Sequence, residues 1–210
     1  MKRFSCRAVV SLAFAMALCL ARPARSATPK LKTNAPKIDR AFSIALSDIT
    51  GNIHPYRAGL LEQSSPVLMA GAGYNEPWTR DAAINTWNGA GLLRPDVARN
   101  TLFSVLQRRD GKVFIGGQYW DAIVWTTGAW SYYLYTGDRA FLKIAFEATQ
   151  NTLAAREADE FDSTMGLFRG PTVYGDGVAA YPDRYAEHAG GSSAIADWPK
   201  NNPDRASHPG

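Results

Sequence analysis

Tyr74-Asn75-Glu76-Pro77-Trp78-Thr79-Arg80-Asp81 sets an aromatic ring, a guanidinium and a carboxylate side by side where a helix is predicted to begin. That set can hold a sugar. A pyranose offers an apolar face that stacks on Trp78, and its vicinal hydroxyls can accept from Arg80 while donating to Asp81. The same segment also suits helix capping, with Thr79 as the N-cap and Asp81 complementing the dipole. Capping accounts for neither Trp78 nor Arg80, because a cation in the first turn opposes the dipole.

Gly117-Gln118-Tyr119-Trp120-Asp121-Ala122-Ile123-Val124-Trp125 repeats the aromatic-plus-carboxylate pattern at the start of another helix. Trp120 and Asp121 are therefore candidate sugar contacts, with Gly116 and Gly117 expected to let the backbone approach a ligand. The alternative makes Asp121 a cap and both tryptophans core. A third carboxylate, Asp176, stands in the Gly-rich, aromatic loop Gly166 to Gly177. A carboxyl on a stiff loop beside Tyr174 can have its pKa raised enough to act as a general acid, although Asp-Gly is also a common turn dipeptide. Asp183 and Glu187 are its rivals.

Other chemistries find little support. His54, His188 and His208 lack metal-ligand spacing, no Gly-rich loop ends in Lys-Ser/Thr, and Gly71-Ala72-Gly73 precedes a loop instead of a helix. No metal and no cofactor is expected. Several carboxylates among aromatics make hydrolysis of a glycosidic bond by an acid and base pair the economical reading.

The elements that must position these residues are mainly helical. Ile38, Phe42, Ala45, Leu46 and Ile49 form one stripe that ends at Gly51, and a second helix is predicted from about Arg80 to Leu92. Pro95 opens a third, with Ala98, Leu102, Val105 and Leu106 on one face before an Asp110-Gly111 turn. A fourth puts Ile123, Thr127, Trp130 and Leu134 on one side. Gly137 stops it, and Asp138 caps a fifth with Phe141, Leu142, Ala145, Phe146, Thr149 and Leu153 on one face. Irregular loops are expected at Asn52 to Thr79, Val113 to Tyr119 and Gly166 to Ser193. The predicted fold is all-α, built from antiparallel helical hairpins, with small strands near Val113 to Ile115 and Phe168 to Tyr174.

Residues 1 to 26 have the form of an export signal: Lys2, Arg3 and Arg7 precede an apolar run from Ala8 to Ala21, and Ala24-Arg25-Ser26 offers a cleavage pattern. That run is too short for a membrane anchor, so an exported, periplasmic or extracellular product with no membrane association after cleavage is expected. Cys19 invites a lipoprotein reading, which Leu18 before it argues against. Of the 23 Lys and Arg, five fall in the signal, leaving 18 against 19 Asp and Glu, so the mature charge near −1 removes the case for nucleic acid. Both cysteines, Cys6 and Cys19, leave with it. Residues 27 to 37 then read as a linker and 38 to 210 as a domain that stops in a Pro-, Asn- and Asp-rich stretch with no closing element.

At this point the sequence resembles the six-hairpin, (α/α)6-barrel glycoside hydrolases, particularly glucoamylases, processing α-glucosidases and the amylo-1,6-glucosidase part of glycogen debranching enzymes. Trp78-Thr79-Arg80-Asp81 is similar to the glucoamylase Trp-Thr-Arg-Asp element, whose Arg and Asp hold hydroxyls of the terminal sugar. Tyr119-Trp120-Asp121 is similar to the Trp-Asp element of the processing α-glucosidases. The resemblance implies an (α/α)6 toroid of which about half, its N-terminal half, is present. It also implies a general acid after the fifth helix, where Asp176 stands, and a general base beyond residue 210. The expected function is secreted hydrolysis of terminal sugars from an oligosaccharide or glycoside, α-glucosides above all, by an inverting acid/base mechanism. The alternatives are a non-catalytic carbohydrate-binding protein or inactive fragment of such a barrel, and a glycoside phosphorylase with an anion site.

Overall fold

A computed structural model describes residues 29 to 117 and 121 to 168. The predicted signal, Tyr119, Trp120, Asp176, Asp183 and Glu187 lie outside the described residues. What is described is mostly helical, in line with the all-α expectation, and three two-stranded antiparallel ribbons interrupt the helices.

Helix α1 (Pro36–Gly51) starts on a proline and is followed by the β1 (Ile53–Tyr56) and β2 (Ser65–Leu68) hairpin, paired from Ile53 with Leu68 to Tyr56 with Ser65. The segment from Asn52 to Thr79 is thus less irregular than its sequence suggests. Helix α2 (Thr79–Asn85) runs into a wider π turn (Thr86–Ala90) and a last short turn, α3 (Gly91–Leu93), with Gly89 out of the helical region. The predicted helix over 80 to 92 is present but broken at that glycine. Helix α4 (Pro95–Ser104) has Pro95 in its first turn as expected. Val105 and Leu106 fall past its end, and Leu106 opens the hairpin β3 (Leu106–Arg109) and β4 (Lys112–Ile115). Asp110 and Gly111 turn that hairpin at φ 49° and 77°, the left-handed pair a two-residue loop requires.

Helix α5 (Asp121–Thr136) ends at Gly137, whose φ of 67° makes the left-handed stop. Asp138 then caps α6 (Arg139–Glu160) by accepting from the Phe141 amide at 2.9 Å. A short ribbon, β5 (Phe161–Asp162) with β6 (Leu167–Phe168), closes the described chain.

Three helix faces differ from those expected. In α1 only Leu46 of the expected stripe is buried, Phe42 and Ile49 are half-buried, and Ile38 (55 % exposed) and Ala45 face outward. In α5 the buried side is Ala122, Trp125, Gly128, Ala129 and Tyr132, while Ile123, Thr127, Trp130 (52 % exposed) and Leu134 face outward. In α6 the buried stripe is Phe141, Ala145, Ala148 and Thr152, and Phe146 is 61 % exposed. The reason is small residues. Gly128 and Ala129 let α5 approach its neighbours closely, so the side that packs is the one with the least side-chain bulk, and large apolar residues are left on the other.

The core lies between α4, α5, α6 and the β3–β4 hairpin. Phe141 is its hub, stacked on Phe103 at 5.3 Å, tilted against Trp125 at 6.4 Å and met edge-on by Tyr132 at 4.5 Å. Two buried backbone amides of the hairpin region are met from outside the ladder: Ile115 donates to Thr152 Oγ1 and Leu68 to Thr101 Oγ1, both at 2.9 Å.

Tyr132 ties this core to the α6 cap, its phenol donating to Asp138 Oδ2 at 3.4 Å. Burial pushes the Tyr132 pKa up, and the Asp138 charge pushes it further. The native state therefore keeps a phenolic proton that the unfolded chain releases near pH 10. This contribution is complete below that value and is lost as pH rises through the native pKa. The urea midpoint should accordingly fall as pH rises above 10, and Tyr132→Phe should flatten that fall. Equal slopes in the two proteins would rule the assignment out.

Candidate functional site

The two aromatic-carboxylate segments, 41 residues apart, come together at the starts of α2 and α5. Arg80 Nη1 donates to Asp121 Oδ1 at 3.3 Å. The Asp121 side chain is 5 % exposed and that of Arg80 22 %, so the carboxylate is nearly out of water while the guanidinium reaches the surface. A buried carboxylate is tolerable beside such a cation, and the contact orients the guanidinium plane in return. Asp81 follows on the same turn of α2, half-buried.

What holds the two helix starts together is packing of small residues and one buried hydrogen bond. Gly128 of α5 lies so near Ala83 of α2 that a Cβ there would sit 2.4 Å from Ala83 Cα. At the other end of the contact the Thr79 hydroxyl donates to Gly116 O at 3.1 Å. Thr79 is therefore the first residue of α2 and a tie to the β4 end; Trp78 is the N-cap residue, and no side chain caps this helix. The expectation that Thr79 caps α2 is overturned because its hydroxyl is spent across the structure.

Gly116 and Gly117 also change meaning. A Cβ on Gly116 would meet Val105 O at 2.6 Å, and one on Gly117, where φ is 109°, would meet Thr79 Oγ1 at 2.4 Å. They make room for protein, where the sequence reading had them make room for a ligand. Trp125 is entirely core, whereas Trp78 is half-buried and Trp87 exposed.

Trp78 and Thr79 also line an open cleft of about 540 Å³ on the side toward the β1–β2 loop and β3. Tyr56, Glu76, Gln107 and Arg108 contribute to its wall, and none of them was singled out from sequence as a site residue. Glu76 was within the motif itself; the other three are brought there by two hairpins whose pairing no local pattern announces. Arg80, Asp81 and Asp121 do not line this cleft.

Among the described residues no group of three His, Cys, Asp or Glu side chains could hold a metal ion, and no helix is long and apolar enough to cross a membrane. Comparison with known proteins found no matching family model, no similar curated protein and no similar solved structure.

Proposed function

We propose that this chain is the N-terminal part of a secreted, inverting glycoside hydrolase acting on α-glucosides, with the terminal sugar held at the joined starts of α2 and α5. The observation that carries the reading is the Arg80–Asp121 contact, which joins two segments that each pair an aromatic with a carboxylate. In this scheme Trp78 supplies an apolar platform, Arg80 and Asp81 grip adjacent hydroxyls, and Asp121 fixes Arg80 as well as bordering the sugar; Trp120, the residue before Asp121 in the sequence, would complete the platform. The mainly helical architecture is compatible with half of an (α/α)6 toroid, whose helix starts would converge on such a site. Asp176, or else Asp183 or Glu187, would protonate the leaving oxygen, and the base would come from beyond residue 210. Inversion then needs the two carboxyl groups roughly 6.5–9.5 Å apart with a water between them.

A second reading, sugar binding without catalysis, is favoured by one specific feature. Of the two carboxylates in the described cluster, Asp121 is tied to the Arg80 guanidinium, an arrangement that serves to hold a ligand and by itself needs no acid and base pair.

One assay separates the two. Maltose and maltotriose are incubated with the complete protein, the segment that supplies the base included, and the first product is followed by anomer-resolved NMR. Initial release of β-glucose supports inverting hydrolysis, and Asp176→Asn should then bind sugar without turning it over. Initial release of α-glucose would overturn inversion. Binding with no release leaves the non-catalytic reading, and neither binding nor release rejects both.

A further inference from the structure

We propose that the outward face of the α5 and α6 hairpin docks a second copy of this chain, with the two α6 helices antiparallel about a two-fold axis. The inference is independent of the sugar reading, since none of Trp78, Arg80, Asp81 and Asp121 takes part. Two apolar stripes lie side by side on that face. Trp130 and Leu134 of α5, and Phe146 and Leu153 of α6, are exposed at helical spacing, while each helix packs a different side into the core. Trp130, Tyr133, Leu142 and Phe146 wall an open groove of about 540 Å³ between the helices, with Arg139 and Lys143 at its edge. Large apolar side chains grouped within a charged rim mark a surface that binds another molecule.

The charges on α6 choose the partner. Arg139 and Lys143 stand near its start and Glu157, Asp159 and Glu160 at its end, with no acid in the first turn and no cation in the last. That order opposes the helix dipole, so it does not serve the helix alone. Glu160 is held by Arg156, but neither Lys143 nor Glu157 has an ion pair among the described residues. The acids nearest Lys143 in sequence are engaged elsewhere, Asp138 with Arg99 and the Phe141 amide, Glu147 with the Val113 amide. An antiparallel copy answers both ends. With the axis at Thr149 and Gln150, Lys143 faces Glu157, Arg139 faces Glu160 and Phe146 faces Leu153 of the second copy, so one register satisfies all three pairs. The same register seats Leu153 of the second copy at the groove beside Phe146, and α6, with 22 residues, supplies a contact about 33 Å long. A parallel pair would set Lys143 on Lys143 and Glu157 on Glu157. An acidic partner or an anionic membrane would suit the start of α6 and be repelled by its end.

Sedimentation equilibrium of the complete protein at micromolar concentrations tests this, and a particle of twice its own mass is expected. Phe146→Glu, at an exposed position, should leave a folded monomer. Lys143→Glu and Glu157→Lys should each weaken the dimer about tenfold or more, since each sets like charges face to face twice across the axis. Mixing these two single variants should restore the dimer, because each then meets its complement in the other copy. An effect confined to one chain cannot be rescued in that way. Should Phe146→Glu prove unfolded by thermal melting, the two charge variants and their mixture decide. A monomer at every concentration, an assembly other than a dimer, a dimer indifferent to the folded Phe146→Glu change, or a mixture no tighter than its components would overturn the proposal. Each of those results would leave the Arg80–Asp121 reading untouched.

Discussion

Gly128→Val is expected to destabilise the protein by about 3 kcal/mol or more and to take sugar binding with it. The added Cβ would stand 2.4 Å from Ala83 Cα, 2.7 Å from Ala83 O and 2.8 Å from Ala83 Cβ. Carbon atoms settle about 3.5–4.0 Å apart, so α2 and α5 must separate by roughly an ångström or the chain must bend. Backbone atoms cannot swing aside as a flexible side chain would. Gly128→Ala meets the same first contact, offset by roughly 1 kcal/mol of improved helix propensity, and should fall between wild type and valine. The identity of the blocking atoms also predicts what happens in the Ala83→Gly, Gly128→Ala double variant. Removing Ala83 Cβ leaves Cα and O in place, so rescue should be slight. Because Arg80 rides on α2 and Asp121 on α5, separation lengthens a contact that is already 3.3 Å, and loss of affinity should follow loss of the urea midpoint. A valine variant with an unchanged midpoint would show that the two helices can part at little cost, and the site could not then depend on their closeness.

The interface at Gly128 also marks where sequence reading reached its limit. Helix ends were legible because their signals are local: Pro95 in a first turn, Gly137 in a left-handed stop, Asp138 accepting from Phe141. Helix faces were not. Ile123, Trp130, Leu134, Phe146 and Leu153 are apolar at helical spacing, yet they are exposed, while Gly128 and Ala129 are buried. Periodicity marks a stripe; which stripe packs depends on how closely a neighbour can come, and in α5 the smallest side chains decide that. That Arg80 and Asp121 share a site was expected only through the family resemblance, which put both motifs near one sugar subsite, because nothing local in the sequence says that residues so far apart come together. The roles of Thr79 and Gly117 were misread for the same reason, since a hydroxyl preceding a helix turn looks like a cap until its distant acceptor, Gly116 O, is known.

Trp125→Ala should cost about 3–5 kcal/mol, the range for emptying a buried aromatic site. Trp125 is 0 % exposed, packs against Phe141, and donates its indole N–H to Leu102 O at 3.2 Å. Leu102 stands in the last turn of α4, where carbonyls have no partner within the helix. The indole thus fills the core and satisfies a helix end together, and graded substitution can separate these roles. Trp125→Phe keeps most of the ring but leaves a buried carbonyl short of a donor, which should cost about 1–3 kcal/mol. Most of the remaining loss in Trp125→Ala is cavity. Phe141→Ala touches the same cluster, so the Trp125→Ala, Phe141→Ala pair should lose less than the sum of the two, the second truncation removing contacts the first has already broken. Urea unfolding of the four variants measures each quantity. A Trp125→Ala midpoint close to wild type would mean that α4 and α5 repack around the gap, and the hub at Phe141 would then not depend on the indole beside it.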